Sequence, residues 1–88
     1  VIDPENKVRS ISFYPLEMGR NMDEIKRSVV ALQRIDREKT IATPANWNPG
    51  DDVIVPVLTS EEKDNLGSPD SEIIQKAWFL NFKPDKID

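Results

Sequence analysis

An α/β fold is what this sequence predicts, and three patterns carry the prediction. Residues 8–14, VRSISFY, alternate side to side as a half-buried strand does. From Met22 onward apolar residues recur at helical spacing, and near the end Trp78, Leu80 and Phe82 alternate with Phe79 and Asn81. The expected order is a hairpin, then a helix that needs a sheet to pack on, then a trailing segment of short strands.

The hairpin begins at Val1 and Ile2 and turns through DPENK, residues 3–7, where Pro4 is preset for a turn interior. Its second arm presents Ile11 and Phe13 with Arg9 on one side and Val8, Ser10, Ser12 and Tyr14 on the other. The two arms do not match, because the first has only two or three residues against about seven in the second. A strand left without a pairing partner is a liability for solubility and specificity. With Val1 in place of an initiator methionine, the mismatch suggests a fragment, the C-terminal piece of a longer protein.

The helix is expected over residues 22–38. Asn21 can cap it, Glu24 stands at the capping-box spacing, and Asp23 and Glu24 set negative charge in the first turn. Met22, Ile25, Val29, Leu32 and Asp36 follow one helical row, widened by Val30 and Ile35. Lys26, Arg27, Arg34 and Arg37 fall mostly outside it. An isolated helix of this length is marginal in water, so the row must be covered.

Beyond Lys39 the style changes. Residues 40–52, TIATPANWNPGDD, read as an irregular extended segment. VIVPVL, residues 53–58, is a short strand that Pro56 demotes to an edge or interrupts. Thr59 or Ser60 can cap a short helix over residues 61–65, LGSPD is a loop, residues 71–76 fit helix or strand, and residues 77–82 read as a strand.

Composition narrows the function. The chain has 88 residues, enough for one domain with a small core. No cysteine supplies a disulfide, and without cysteine or histidine a Cys/His metal site is excluded. Lys plus Arg number 12 against 16 Asp plus Glu, a net charge of −4, and the basic residues are scattered, which argues against a nucleic-acid surface. No apolar run approaches the roughly 20 residues of a membrane helix, and no signal peptide is visible, so a cytoplasmic location is expected.

The landmarks YP, GRN-DEI-R, ALQ, ATP-NW and GD-VIVP, spread over residues 1–56, together resemble the C-terminal part of a peroxiredoxin. The branch most resembled is the one-cysteine group with a long C-terminal arm. The resemblance implies the last portion of a thioredoxin-like α/β core over residues 1–39, hairpin and final helix, followed by an arm over residues 40–88 that reaches a partner subunit. It implies a thiol peroxidase as the parent, reducing hydrogen peroxide and organic hydroperoxides without cofactor or metal. The peroxidatic cysteine and a first active-site arginine would lie on an N-terminal segment of the same protein. That segment, a second subunit of a homodimer or higher oligomer, and the hydroperoxide are then the implied partners.

On that resemblance Arg20, in the GRN landmark, supports the reactive thiolate and the peroxide. The chemistry needs a cation because an ordinary thiol, with a pKa of about 8.5, must ionise to attack near neutrality. A positive charge about 4 Å away at an effective permittivity of about 20 favours the anion by about 4 kcal/mol. That equals roughly three pKa units before desolvation subtracts its share. Arginine brings a planar donor fork that stays charged. The plainer reading is a surface arginine paired with Asp23 or Glu24. A helix N-terminus mildly disfavours a cation, which fits a functional tether. Gly19 either takes an unusual φ before Arg20 or is an ordinary loop glycine.

Tyr14 and Pro15 read as packing residues, and Trp47 as a packing anchor for the arm. Trp47, Trp78, Phe79 and Phe82 are the aromatic interface candidates, either completing the arm's own core or burying against a partner. Glu61, Glu62 and Asp64 read as a solvated helix face, and Asp51 and Asp52 as turn residues. Some relatives are credited with a phospholipase-like activity, for which Asp3 or Glu5 is at most a weak match to the acid. The competing reading of the whole chain is a non-enzymatic interaction or dimerisation module, favoured by the lack of any nucleophile, base or metal set.

Overall fold

The computed structural model describes residues 1–85, an elongated molecule of 52 × 27 × 25 Å. Its elements are α1 (Met22–Arg37), β1 (Val53–Ile54), α2 (Ser60–Asp64), β2 (Ile74–Ala77) and β3 (Leu80–Lys83). A long helix and a small antiparallel sheet make it α/β, as the sequence predicts.

The helix α1 starts where the cap was expected. The Asn21 side chain accepts from the Asp23 N–H at 3.1 Å and the Glu24 N–H at 3.3 Å, taking up two of the donors a helix start leaves open. The reciprocal half of a capping box is not made, because Glu24 is drawn to Arg27, at 2.6 and 2.7 Å. At the other end Glu38 leaves the helix in an extended conformation, its N–H donating to Ile35 O. The chain then crosses to the arm, where Ala42 and Ile54 exchange a pair of backbone hydrogen bonds at 2.8 and 2.9 Å.

The core lies between α1 and the arm. Ala31, Ile41, Trp47 and Val53 form one buried cluster, with Val30 packed against it. Trp47 is only 2% exposed, and its indole N–H donates to Asp51 O at 3.0 Å. A turn around Asn46 (φ 63°) and Gly50 (φ 98°) brings the indole inward. Arg27 donates to Trp47 O, fastening that loop to the helix.

This packing corrects the expected helix face. At about 100° per residue, Arg27, Ala31, Arg34 and Glu38 lie roughly opposite the row of Met22, Ile25, Val29, Leu32 and Asp36. The arm covers the former row, burying Ala31 and Arg34, while Met22 stays exposed and Ile25, Val29 and Leu32 are half-buried. Arg34, placed outside the apolar row from sequence, is therefore one of the most buried side chains. Asp36, an odd member of the apolar row, has its own reason: it holds Arg9 at 2.8 Å.

The sheet has the order β1-β3-β2, with Val53 opposite Lys83, Ile54 opposite Phe82, and Ile74 opposite Phe82. Pro56 stops β1 after two residues, in keeping with its lack of a donor. The helix α2 is capped by Thr59 with a full capping box to Glu62, which gives that glutamate a structural task. A single strand over residues 77–82 is not what forms. Residues 74–83 make a hairpin with a register shift, and Trp78 and Phe79 are its turn.

The strand expected over residues 8–14 is also absent. Residues 3–7 do make the predicted turn, with Asp3 accepting from the N–H groups of Glu5 and Lys7 and Asn6 at φ 64°. Pairing reaches only one bridge, Ile2 to Val8. Beyond it no strand among the described residues lies alongside, and a lone strand has no ladder to make. Ile11 is exposed and Phe13 is 89% exposed.

Candidate functional site

The corner between the extended segment and α1 is built by short-range geometry. Pro15 O accepts from the Met18 N–H at 3.1 Å, closing a turn that delivers Gly19 and Arg20 to the Asn21 cap. Gly19 does not have a positive φ, and a Cβ placed there would meet nothing within 4 Å. It is an ordinary loop glycine within this chain.

Arg20 is exposed, and its guanidinium carbon lies 5.8 Å from the centre of the Tyr14 ring. A cation over an aromatic face at this distance is attracted by the ring quadrupole. Tyr14 is thus half-buried and serves as a rest for the arginine. The pairing with Asp23 or Glu24 that the plainer reading of Arg20 required is not made among the described residues. Asp23 is exposed, and Glu24 is held by Arg27.

The other arginines show how this chain treats a cation that has only a structural task. Arg9 bridges Asp36 at 2.8 Å and Asp3 at 3.2 Å. Arg27 holds Glu24 at 2.6 Å, and Arg34 holds Asp85 and Glu38, both at 2.9 Å. Arg37 has no ion pair among the described residues, but it sits in the last turn of α1, where the helix dipole favours a cation. Arg20 stands at the opposite end, against the dipole and with no carboxylate at ion-pair distance among the described residues.

The ion pairs leave their mark on the acids. Hydrogen bonding from Arg27 holds Glu24 below the usual carboxylate range, and hydrogen bonding from Arg34 does the same for Glu38. Asp3 is lowered chiefly by the Lys7 backbone N–H, against some desolvation, with Arg9 adding to the effect. Arg9, Arg27 and Arg34 are raised in turn by their carboxylate hydrogen bonds.

Around the corner the surface is apolar and uncovered. Phe13, Leu16, Met18 and Met22 are all exposed. Further along, a groove of about 380 Å³ opens between the first turn and α1, lined by Val1, Ile2, Pro4, Val29 and Leu32 among others. Patches of this kind mark surfaces made for another body of protein.

The aromatic interface candidates separate into three kinds. Trp78 (86% exposed) and Phe79 meet edge to face, ring centres 5.4 Å apart, at the tip of the β2–β3 hairpin. Phe82 is half-buried beneath Lys76, whose Nζ lies 5.2 Å from the ring centre. Trp47, the expected packing anchor of the arm, is only 2% exposed at the centre of the chain's own core, unlike the other three candidates. Among the described residues no three His, Cys, Asp or Glu side chains gather as metal ligands, and no helix is long and apolar enough to cross a membrane.

Sequence reasoning missed the cluster of Arg34, Glu38, Lys83 and Asp85. The Arg34–Glu38 spacing of four was visible, but Asp85 lies 51 residues from Arg34, and no local pattern links them.

Comparison with known proteins agrees with the landmarks. Residues 31–68 match the C-terminal domain of 1-Cys peroxiredoxin. A peroxiredoxin of Methanosarcina mazei is 51% identical over 97% of this chain and 39% of its own length. A 1-Cys peroxiredoxin of Medicago truncatula is 36% identical over 93% of this chain and 39% of its own. Among solved structures, the yeast mitochondrial 1-Cys peroxiredoxin superposes with a TM-score of 0.77 at 40% identity, over 96% of this chain and 38% of that one. The peroxiredoxin 6 of Arenicola marina gives a TM-score of 0.73 at 34% identity, over 98% and 40% respectively. The chain thus spans 39% of the length of each of these two curated relatives. From its helix cap to its aromatic hairpin, the chain belongs to the peroxiredoxin family, as C-terminal sequence of the one-cysteine type.

Proposed function

We propose that this chain supplies the cationic and packing half of a thiol peroxidase that reduces hydrogen peroxide and organic hydroperoxides. The cysteine belongs to an N-terminal segment of the same protein. In this reading residues 1–39 end a thioredoxin-like core, and the rest of that core covers Phe13, Leu16, Met18, Met22 and the groove beside Val29 and Leu32. Residues 40–88 form the arm that meets a second subunit through Trp78, Phe79 and Phe82. The expected setting is the cytoplasm, although a similar peroxiredoxin of Saccharomyces cerevisiae is mitochondrial by name.

The observation that carries the reading is the state of Arg20. It is held at a fixed corner by the Asn21 cap and the Tyr14 ring, yet its charge is left without a carboxylate among the described residues. A thiolate brought to that corner would meet a free, permanently charged fork of donors. Attack of the thiolate on a peroxide oxygen would form the S–O bond of cysteine sulfenic acid as the O–O bond breaks, the departing oxygen taking the peroxide's proton to leave as water or alcohol. Arg20 would stabilise the anion before the attack and the charge on the departing oxygen during it.

The experiment is peroxide turnover by the protein joined to its cysteine-bearing segment, with Arg20 intact and as Arg20→Met. A fall in kcat/KM of at least about tenfold is expected from losing one close cation. Unchanged turnover would remove Arg20 from the site.

The exposed Trp78–Phe79 tip favours a second reading, a dimerisation module without catalysis. It predicts dimers and no peroxide turnover even with the preceding segment present.

A further inference from the structure

The β2–β3 hairpin places no fully buried apolar side chain against the rest of the molecule, its Ala77, Leu80 and Phe82 being half-buried. Residues 74–76 are exposed, Trp78 and Phe79 face solvent, and the one fully buried residue of the hairpin is a polar one, Asn81. Pairing with β1 covers only two residues, extended by the Val55 N–H donating to Asn81 O at 2.8 Å. What does reach from the hairpin's end to α1 is charge. Arg34 donates from Nε and Nη2 to the Asp85 carboxylate at 2.9 to 3.2 Å, and the two side chains are 3% and 4% exposed. Glu38 takes a further bond from Nη2, and Lys83 stands 3.5 Å from Glu38. Nη1 of Arg34 is buried with no hydrogen-bond partner, so the guanidinium is held by these two carboxylates.

We propose that Arg34 and Asp85 form a charge clasp that holds the end of the arm against α1, and that the β2–β3 hairpin is a strap whose closed position depends on this pair. The clasp carries more than an ordinary surface ion pair because both partners are dry. Removing one takes from the other, which stays buried, the bidentate partner that joins the hairpin's end to α1, whereas replacing both by apolar groups of similar size is tolerated. Opening the strap leaves α1 intact, since the helix keeps its Asn21 cap and the Ala31, Ile41, Trp47 and Val53 cluster. The strap carries Trp78 and Phe79 at its turn, so the clasp decides where that aromatic tip is presented. None of this depends on the peroxidase reading.

The test is amide hydrogen exchange on the full-length protein carrying Arg34→Leu, Asp85→Asn, or the pair Arg34→Leu with Asp85→Leu. Each single change should speed exchange over residues 80–83 by about tenfold or more, with amides of residues 25–33 within about twofold of the parent. The double change should return residues 80–83 most of the way to the parent rate. Two results would overturn the clasp. One is single variants whose residues 80–83 stay within about twofold of the parent. The other is equal acceleration in α1 and the hairpin, which marks general destabilisation instead of a strap.

Discussion

Trp47 and Arg20 show two uses of one short chain's large side chains. Trp47 closes the core between α1 and the arm and satisfies its N–H on Asp51 O. Trp47→Ala should destabilise the protein by about 3–5 kcal/mol, read as a loss in chemical denaturation, because a cavity replaces a fully packed ring. Little change would mean that the arm is not anchored there. Arg20 has the opposite character, exposed and placed against the helix dipole. The role proposed for it was legible in the sequence only through the GRN landmark. The residue pattern by itself suggested Asp23 or Glu24 as partners, and it could not foresee that Arg27 takes Glu24. Gly19 is no conformational device, since it lacks a positive φ and a Cβ there would meet nothing within 4 Å.

The elements whose rules are local were the ones the sequence foretold. The Asn21 start of α1, the Thr59 cap of α2 and the turn at residues 3–7 all rest on side chains within a few residues of the backbone they satisfy. The failures are long-range. The strand over residues 8–14 needs a neighbour that the chain does not provide among its described residues. Which face of α1 the arm covers rests on contacts with Ile41, Trp47, Val53 and Asp85, none of which a local pattern around α1 reveals. The alternation of Trp78, Leu80 and Phe82 hid a turn, because a hairpin tip with two aromatics violates the usual turn composition.

The ion pairs that tie these elements make a pH prediction. Asp3, Glu24 and Glu38 have folded-state pKa values below their unfolded ones. Their contribution is therefore present above the unfolded pKa and is lost as pH falls through the lower folded value. Melting temperature should hold steady from pH 7 to about pH 5 and fall below about pH 4. The raised arginines act in the other direction, losing their contribution only in strong alkali. A melting temperature independent of pH down to about pH 3 would contradict the assigned pairs.

At the scale of the whole molecule, one side of the chain is finished and the other is not. The arm seals the face of α1 that carries Ala31 and Arg34, while the row that begins at Met22 and the run from Val8 to Met18 present apolar surface. The family assignment makes sense of this, since the chain spans 39% of the length of each of the two curated relatives compared with it. The hairpin tip is the second open surface. Trp78→Ser with Phe79→Ser should weaken self-association of the full-length protein by about tenfold or more in sedimentation, with its melting temperature nearly unchanged. Association as tight as in the parent would place the subunit contact elsewhere. The proposed facing of Arg20 onto a thiolate has a direct measurement: the pH dependence of cysteine alkylation in the full-length protein and its Arg20→Met variant. The thiol pKa of the variant should be raised by about one to three units. An unchanged alkylation profile would show that the charge of Arg20 does not reach the sulfur.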